Sequence, residues 1–143
     1  MQQKQIRITA EELIIIKNVY HRAHVKGTLE DYINRIVFIY PALVSGTGIV
    51  CAEDAYDNTL IDVSMYLKNF APPIEIFQAI AYILAEYGYS YVYADNSQSE
   101  KIRVSNKICE KVGMQCIGQN LYALQLNGEK HAMQNKQETE EEI

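Results

Sequence analysis

Between Thr59 and Asp95 the spacing of apolar residues changes twice, and the change predicts a strand, a helix and a second strand. Thr59 to Leu67 alternates and is rich in β-branched and aromatic residues, as a half-buried strand should be. The alternation puts Leu60, Asp62, Ser64 and Tyr66 on one face. Ile61, Val63, Met65 and Leu67 take the other. Pro72-Pro73 stops the extended run and suits a helix start, because proline fixes φ and has no N–H. From there Ile74, Phe77, Ile80, Ala81, Leu84 and Ala85 fall at helical spacing, with Gly88 as the expected cap. Tyr89 to Ala94 is the second strand, closed by Asp95-Asn96-Ser97. Strands joined by such a helix pair in parallel through a right-handed crossover. In α/β folds, ligands bind where the carboxyl ends of such strands separate. The separation is expected just past Leu67 and Ala94.

The flanks supply the remaining layers. Gln5 to Ile8 reads as a short strand. Thr9 and Glu12 have the spacing of a capping box, opening a helix that runs to about Val25 and stops at Gly27. Thr28 caps a second helix carrying Tyr32, Ile33, Ile36, Val37 and Ile39, which Pro41 ends. Ala42 to Ser45 and Gly48 to Ala52 read as two strand pieces or one bent strand. Glu53 to Asn58 is a polar turn leading antiparallel into the Thr59 strand. Ser97 starts a further helix with Ile102, Ser105, Ile108, Cys109 and Val112 inward and Gly113 as its cap. Gln115 to Gly118 and Asn120 to Leu126 close the sheet. The expected fold is α/β (α+β), a mixed central sheet flanked by helices in the order β-α-α-β-β-β-α-β-α-β. Residues 1–126 form the domain, and 127–143 form an acidic polar tail expected to be disordered.

Charge and composition narrow the function classes. At 143 residues and 48% hydrophobic, the chain can bury one core. Its net charge of −5 argues against a nucleic-acid partner, which needs clustered basic surface. Part of that charge is Glu138, Glu140, Glu141 and Glu142 in the tail. Three cysteines without a CxxC pair, and a polar N-terminus, point to a reduced, cytoplasmic setting. No apolar run is long enough to span a bilayer, so no membrane is expected as a partner.

Few residues carry obvious chemistry. Asp62 sits on the central strand before the turn, where a carboxylate can serve as a base or simply face solvent. Glu53 and Asp54 read as turn residues. Tyr89, Tyr91 and Tyr93 form a period-two stripe that suits packing or the lining of a cleft. His21 and His24 share a helix face without a third ligand, so no metal is expected.

One motif goes further. Ser105-Asn106-Lys107-Ile108-Cys109-Glu110-Lys111-Val112-Gly113-Met114 resembles the late helix and turn of the GNAT superfamily of acyl-CoA-dependent N-acyltransferases. The resemblance covers Ile6 to Leu126 by element order and the last third by motif. It implies a GNAT-like sheet, acetyl-CoA as cofactor and a small-molecule or protein amine as acceptor. It implies Asp62 as base and puts Cys109 where the family often carries a proton-donating Tyr. The implied cofactor contacts are Tyr66, Leu67, Asn69, Phe70, Ala71, Asn96 and Ser105. The sequence departs from the family at its Gly-rich pyrophosphate turn, which here reads Asn69-Phe70-Ala71-Pro72-Pro73. Ile102 stands where the family often has Asn, with Asn96 upstream. Two other readings therefore stay open. One is a catalytically inactive GNAT-like module with a protein partner, as in a phage or virion-associated protein. The other is an acyltransferase using a carrier protein or an unusual donor.

Overall fold

A computed structural model of the chain describes residues 7–69 and 72–126. The helices are α1 (Ala10–Arg22), α2 (Leu29–Arg35), α3 (Ile74–Glu86) and α4 (Ile102–Lys111). The strands are β1 (Ile36–Pro41), β2 (Gly48–Glu53), β3 (Leu60–Tyr66), β4 (Tyr91–Asp95), β5 (Gln115–Gly118) and β6 (Leu121–Gln125). They form one mixed sheet in the order β1-β2-β3-β4-β6-β5. Only β3 and β4 pair in parallel among the described strands; all other neighbours are antiparallel.

Alternation along β2 and β3 divides the interior into two layers. Val50 and Ala52 pack with Ile15, Ile16 and Val19 of α1 and Tyr32 of α2. Ile49, Cys51, Ile61 and Val63 pack with Phe77, Ile80 and Leu84 of α3 and Cys109 of α4. The helices thus lie in pairs on opposite faces of the sheet, and β3 is covered on both.

Local chemistry sets most helix ends. Thr9 and Glu12 form the reciprocal capping box, each accepting the other's backbone N–H at 3.0 Å. Thr28 accepts from the Asp31 N–H at the start of α2. After α3, Gly88 takes φ 94° while its N–H reaches the Ala85 carbonyl and the Tyr89 N–H reaches that of Leu84. This is the Schellman pattern, and it requires a residue content with positive φ.

Several expectations need correction. The second helix ends at Arg35, and Ile36–Pro41 is strand β1. Its apolar run fits either period, and pairing with the buried strand β2 decides the matter. Ala42 to Ser45 is a turn, not a strand; Ala42 N–H bonds Thr47 O and Thr47 N–H bonds Val44 O. Arg7 and Ile8 are not in a strand, and Gln5 and Ile6 lie outside the described residues. Helix α4 starts at Ile102 instead of Ser97, with no side-chain cap on Lys101. The Tyr stripe is split. Tyr91 and Tyr93 share the β4 face opposite Val92 and Ala94, whereas Tyr89 precedes the strand and is buried with α3. The tail from 127 onward also lies outside the described residues. No helix among the described residues is long and apolar enough to cross a membrane.

Candidate functional site

The parallel ladder between β3 and β4 is short. It pairs Leu60 with Tyr91, Ile61 with Val92 and Asp62 with Tyr93, then stops. Beyond this, β3 runs on to Tyr66 held by β2 alone, and β4 runs to Asp95 held by β6 alone. The strands therefore part at Asp62 and Tyr93, earlier than Leu67 and Ala94. Residues 63–66 keep one ladder and lose the other. Alternate backbone N–H and C=O groups of this segment are left facing the gap.

A cavity of about 390 Å³ fills that gap, within the range of small-molecule sites. Its floor is the end of β3 and the residues just after it, from Val63 to Asn69. Val104, Ser105, Ile108 and Cys109 of α4 form one wall, and Arg22 at the end of α1 closes the other side. The Arg22 guanidinium lies 4.6 Å from the Tyr66 ring centroid and bonds Glu100 at 2.9 Å. One side chain thus ties α1 to the segment before α4 across the mouth. Arg22, Lys68 and Lys101 face Asp95 and Glu100 around the rim.

Of the residues implied by the family resemblance, Tyr66, Leu67, Asn69, Asn96, Ser105 and Cys109 all line this cavity. Phe70 and Ala71 lie outside the described residues. Asn69 has φ 55°, turning the chain left-handed as it leaves β3. Ser105 shares a hydrogen bond of 2.8 Å with Ser99, whose hydroxyl also accepts the Lys101 N–H. Asn96 is buried and fixed by a chain of amides. It donates to Asn106 at 2.9 Å, and Asn106 donates to Asn120 at 2.9 Å. Asn96 also donates to the Cys109 sulfur at 3.5 Å. Burial pushes the Cys109 thiol up, and the Asn96 bond pulls the other way.

Asp62 is not part of the cavity lining. Ser64, two residues further along the same face and roughly 7 Å on, is. Asp62 lies under α2 in a polar cluster with Tyr32, Arg35, Asp54 and Tyr93. Burial pushes its carboxyl up to about 7, Arg35 opposes the shift, and Asp54 and Asp95 add to it. Arg35 is engaged elsewhere, donating to the Glu53 carbonyl at 2.6 Å and standing 3.6 Å from Asp31. Asp54 accepts from Tyr93 Oη at 2.5 Å and from the Tyr56 and Asp57 N–H groups. These bonds hold its carboxyl low despite desolvation by burial.

Sequence reasoning missed the roles of five of these residues. Glu53 and Asp54 do more than turn the chain, because they anchor Tyr89 and Tyr93 at 2.7 and 2.5 Å. Tyr93 faces Asp62 across the ladder, which only the register reveals. Arg35 stands four residues after Asp31 on α2, a spacing that could have been read. Tyr32 gives no signal beyond being apolar in period. Among the described residues no group of His, Cys, Asp or Glu side chains can hold a metal ion. No known protein family, characterised protein or solved structure matches the chain.

Proposed function

We propose that the chain is a GNAT-like acyltransferase that carries an acyl group from acetyl-CoA, or a related thioester, to an amine. The observation that carries this reading is the cavity in the gap between parallel strands, open at Asp62 and Tyr93. An extended pantetheine arm carries amides. The unpaired backbone of residues 63–66 offers them the partners that β4 would otherwise supply. The acyl carbonyl would lie near the start of the gap, where a backbone N–H can stabilise developing negative charge.

The chemistry balances with few groups. Because Asp62 lies outside the cavity lining, it takes a proton from the amine through water, the nitrogen attacks the thioester carbonyl, and the C–S bond breaks to release a thiolate. Cys109 accepts from Asn96, so its own S–H is free to hydrogen-bond the leaving sulfur. With its pKa raised, it would act as a hydrogen-bond donor and leave the proton to come from solvent at the open mouth.

A second reading, a protein-binding module without catalysis, is favoured by the start of α3. Pro73 is its N-cap, no side chain caps it, and Glu75 puts a carboxylate in the first turn. That carboxylate disfavours a diphosphate at the helix N-terminus.

Titration calorimetry with acetyl-CoA separates the two. The acyltransferase reading expects a dissociation constant of roughly 10–100 μM, about 5–7 kcal/mol of binding free energy. No heat at millimolar acetyl-CoA would leave the module as the reading to pursue.

A further inference from the structure

Helix α4 runs against the charge of the chain. Residues 101–111 hold Lys101, Arg103, Lys107 and Lys111 against the single acid Glu110, in a chain with 13 Lys and Arg to 18 Asp and Glu. All four cations are exposed, and none makes an ion pair among the described residues. Glu110 is engaged by the Tyr122 hydroxyl at 2.8 Å. Helical spacing sets this charge beside the cavity. Ser105, Ile108 and Val104 line it in turn toward solvent, and Lys111, Lys107 and Arg103 follow around the same helix. Val104, at the lip, leaves about half of its surface exposed. Across the mouth stands Lys68, also exposed and without an ion pair among the described residues.

The helix that follows β3 is the opposite. α3 carries Glu75 and Glu86 and no Lys, Arg or His, and its N-cap is Pro73, which has no N–H. The cations of this region therefore lie on α4, where they form a row at every fourth residue from Arg103 to Lys111. That row is roughly 12 Å long. A single phosphate meets one or two such cations, whereas an acidic helix lying alongside meets all three. We propose that the thioester donor arrives on an acidic carrier protein, with its phosphopantetheine arm in the cavity and an acidic helix of the carrier along Arg103, Lys107 and Lys111. The proposal rests on the acyltransferase reading and names its donor. The arm's one phosphodiester meets Lys68 and Lys101 at the rim, and Val104 gives the contact an apolar centre. In the transfer the amine nitrogen forms the amide bond and the C–S bond to the arm breaks. The carrier leaves as a free thiol, its sulfur taking from solvent a proton equal to the one the amine gave up.

The test is calorimetry on the full chain at about 50 mM NaCl, where surface charge is weakly screened. The titrants are an acidic acyl carrier protein in its acetylated form, the same protein without its arm, and acetyl-CoA. The acetylated carrier is expected to bind at least about tenfold more tightly than either of the others, since only it engages both α4 and the cavity. Arg103→Glu with Lys107→Glu is expected to weaken the acetylated carrier about tenfold or more and to leave acetyl-CoA within about twofold. Lys107→Gln alone should show the same loss at about threefold. Lys17→Glu, an equal charge change on an exposed residue of α1 across the sheet, should alter neither. No carrier binding beside intact acetyl-CoA binding would overturn the proposal and leave acyl transfer standing. An equal loss of acetyl-CoA in the α4 variant would overturn it too, because the row then serves the nucleotide's own phosphates. So would equal binding of the carrier with and without its arm, which is adhesion by charge with the cavity unused. That last result, with no heat from acetyl-CoA, removes acyl transfer as well.

Discussion

Asp62→Asn is expected to make the protein more stable at pH 8 and to remove acyl transfer. The Asp62 carboxyl is pushed up to about 7, first by burial and then by Asp54 and Asp95, against the pull of Arg35. In the unfolded chain it titrates near its ordinary value of about 3.9. Between those values the folded state holds the proton that the unfolded state has lost. Stability from this group is therefore fully present below about pH 4 and is lost as pH rises through about 7. Asn cannot ionise, so the variant escapes that loss. Its advantage should be on the order of 2–4 kcal/mol at pH 8 and close to nothing at pH 4. Urea unfolding at the two pH values reads the difference. If the variant has the same midpoint shift at both, Asp62 is an ordinary solvated strand acid. Transfer, by contrast, should fall by about 100-fold or more, because the base is gone. The wild-type kcat/KM should climb with pH and level off above about 7. A variant gaining stability while losing activity is the pattern of a residue kept for its chemistry.

How far the sequence foretold this arrangement depends on the range of the interaction. Features decided within four residues were legible. Thr9 with Glu12, Thr28 with Asp31, and Gly88 after α3 all do what their types predict. The β3-α3-β4 unit was legible as well, because its period changes sharply and Pro73 marks the change. Ile36–Pro41 was not, since its apolar run fits a helix or a strand and only the partner β2 settles it. The position of the gap depends on register. β4 leaves β3 after Tyr93 while Asp95 stays paired to Leu121, and no local signal encodes that. Of the residues that line the cavity, the sequence singled out Tyr66, Leu67 and Asn69 at the end of one strand, Asn96 after another, and Ser105 and Cys109 on one helix, whereas Arg22, Ser64 and Lys101 gave no signal. The polar corner was not. Tyr32 and Arg35 come from α2, Asp54 from a turn and Tyr93 from β4, so only the packed fold brings them to Asp62.

Gly48→Ala should cost about 2–4 kcal/mol and should also weaken ligand binding in the gap. Gly48 opens β2, opposite Pro41 of β1 on one side and Tyr66 of β3 on the other. A Cβ there would lie 2.6 Å from the Tyr40 carbonyl oxygen, 3.0 Å from Ile15 Cγ2 and 3.4 Å from Pro41 Cα. The nearest of these is backbone, so no side-chain rotation relieves it. Either β1 moves away, breaking its ladder to β2, or β2 shifts and carries Tyr66 with it. Tyr66 lines the cavity and carries Arg22 on its ring, so a shift there opens the closed side of the site. Gly88→Ala is the control. It strains a residue at φ 94° but meets nothing within 4 Å, and Gly88 is not among the residues lining the cavity. Its cost should be about 1 kcal/mol with acetyl-CoA affinity unchanged. Urea midpoints and calorimetry on both variants distinguish a backbone clash, felt at the cavity, from a strained turn, felt only by the fold. If Gly48→Ala unfolds at the wild-type midpoint, β1 does not lie against β2 in this register, and the sheet that positions the gap must be redrawn.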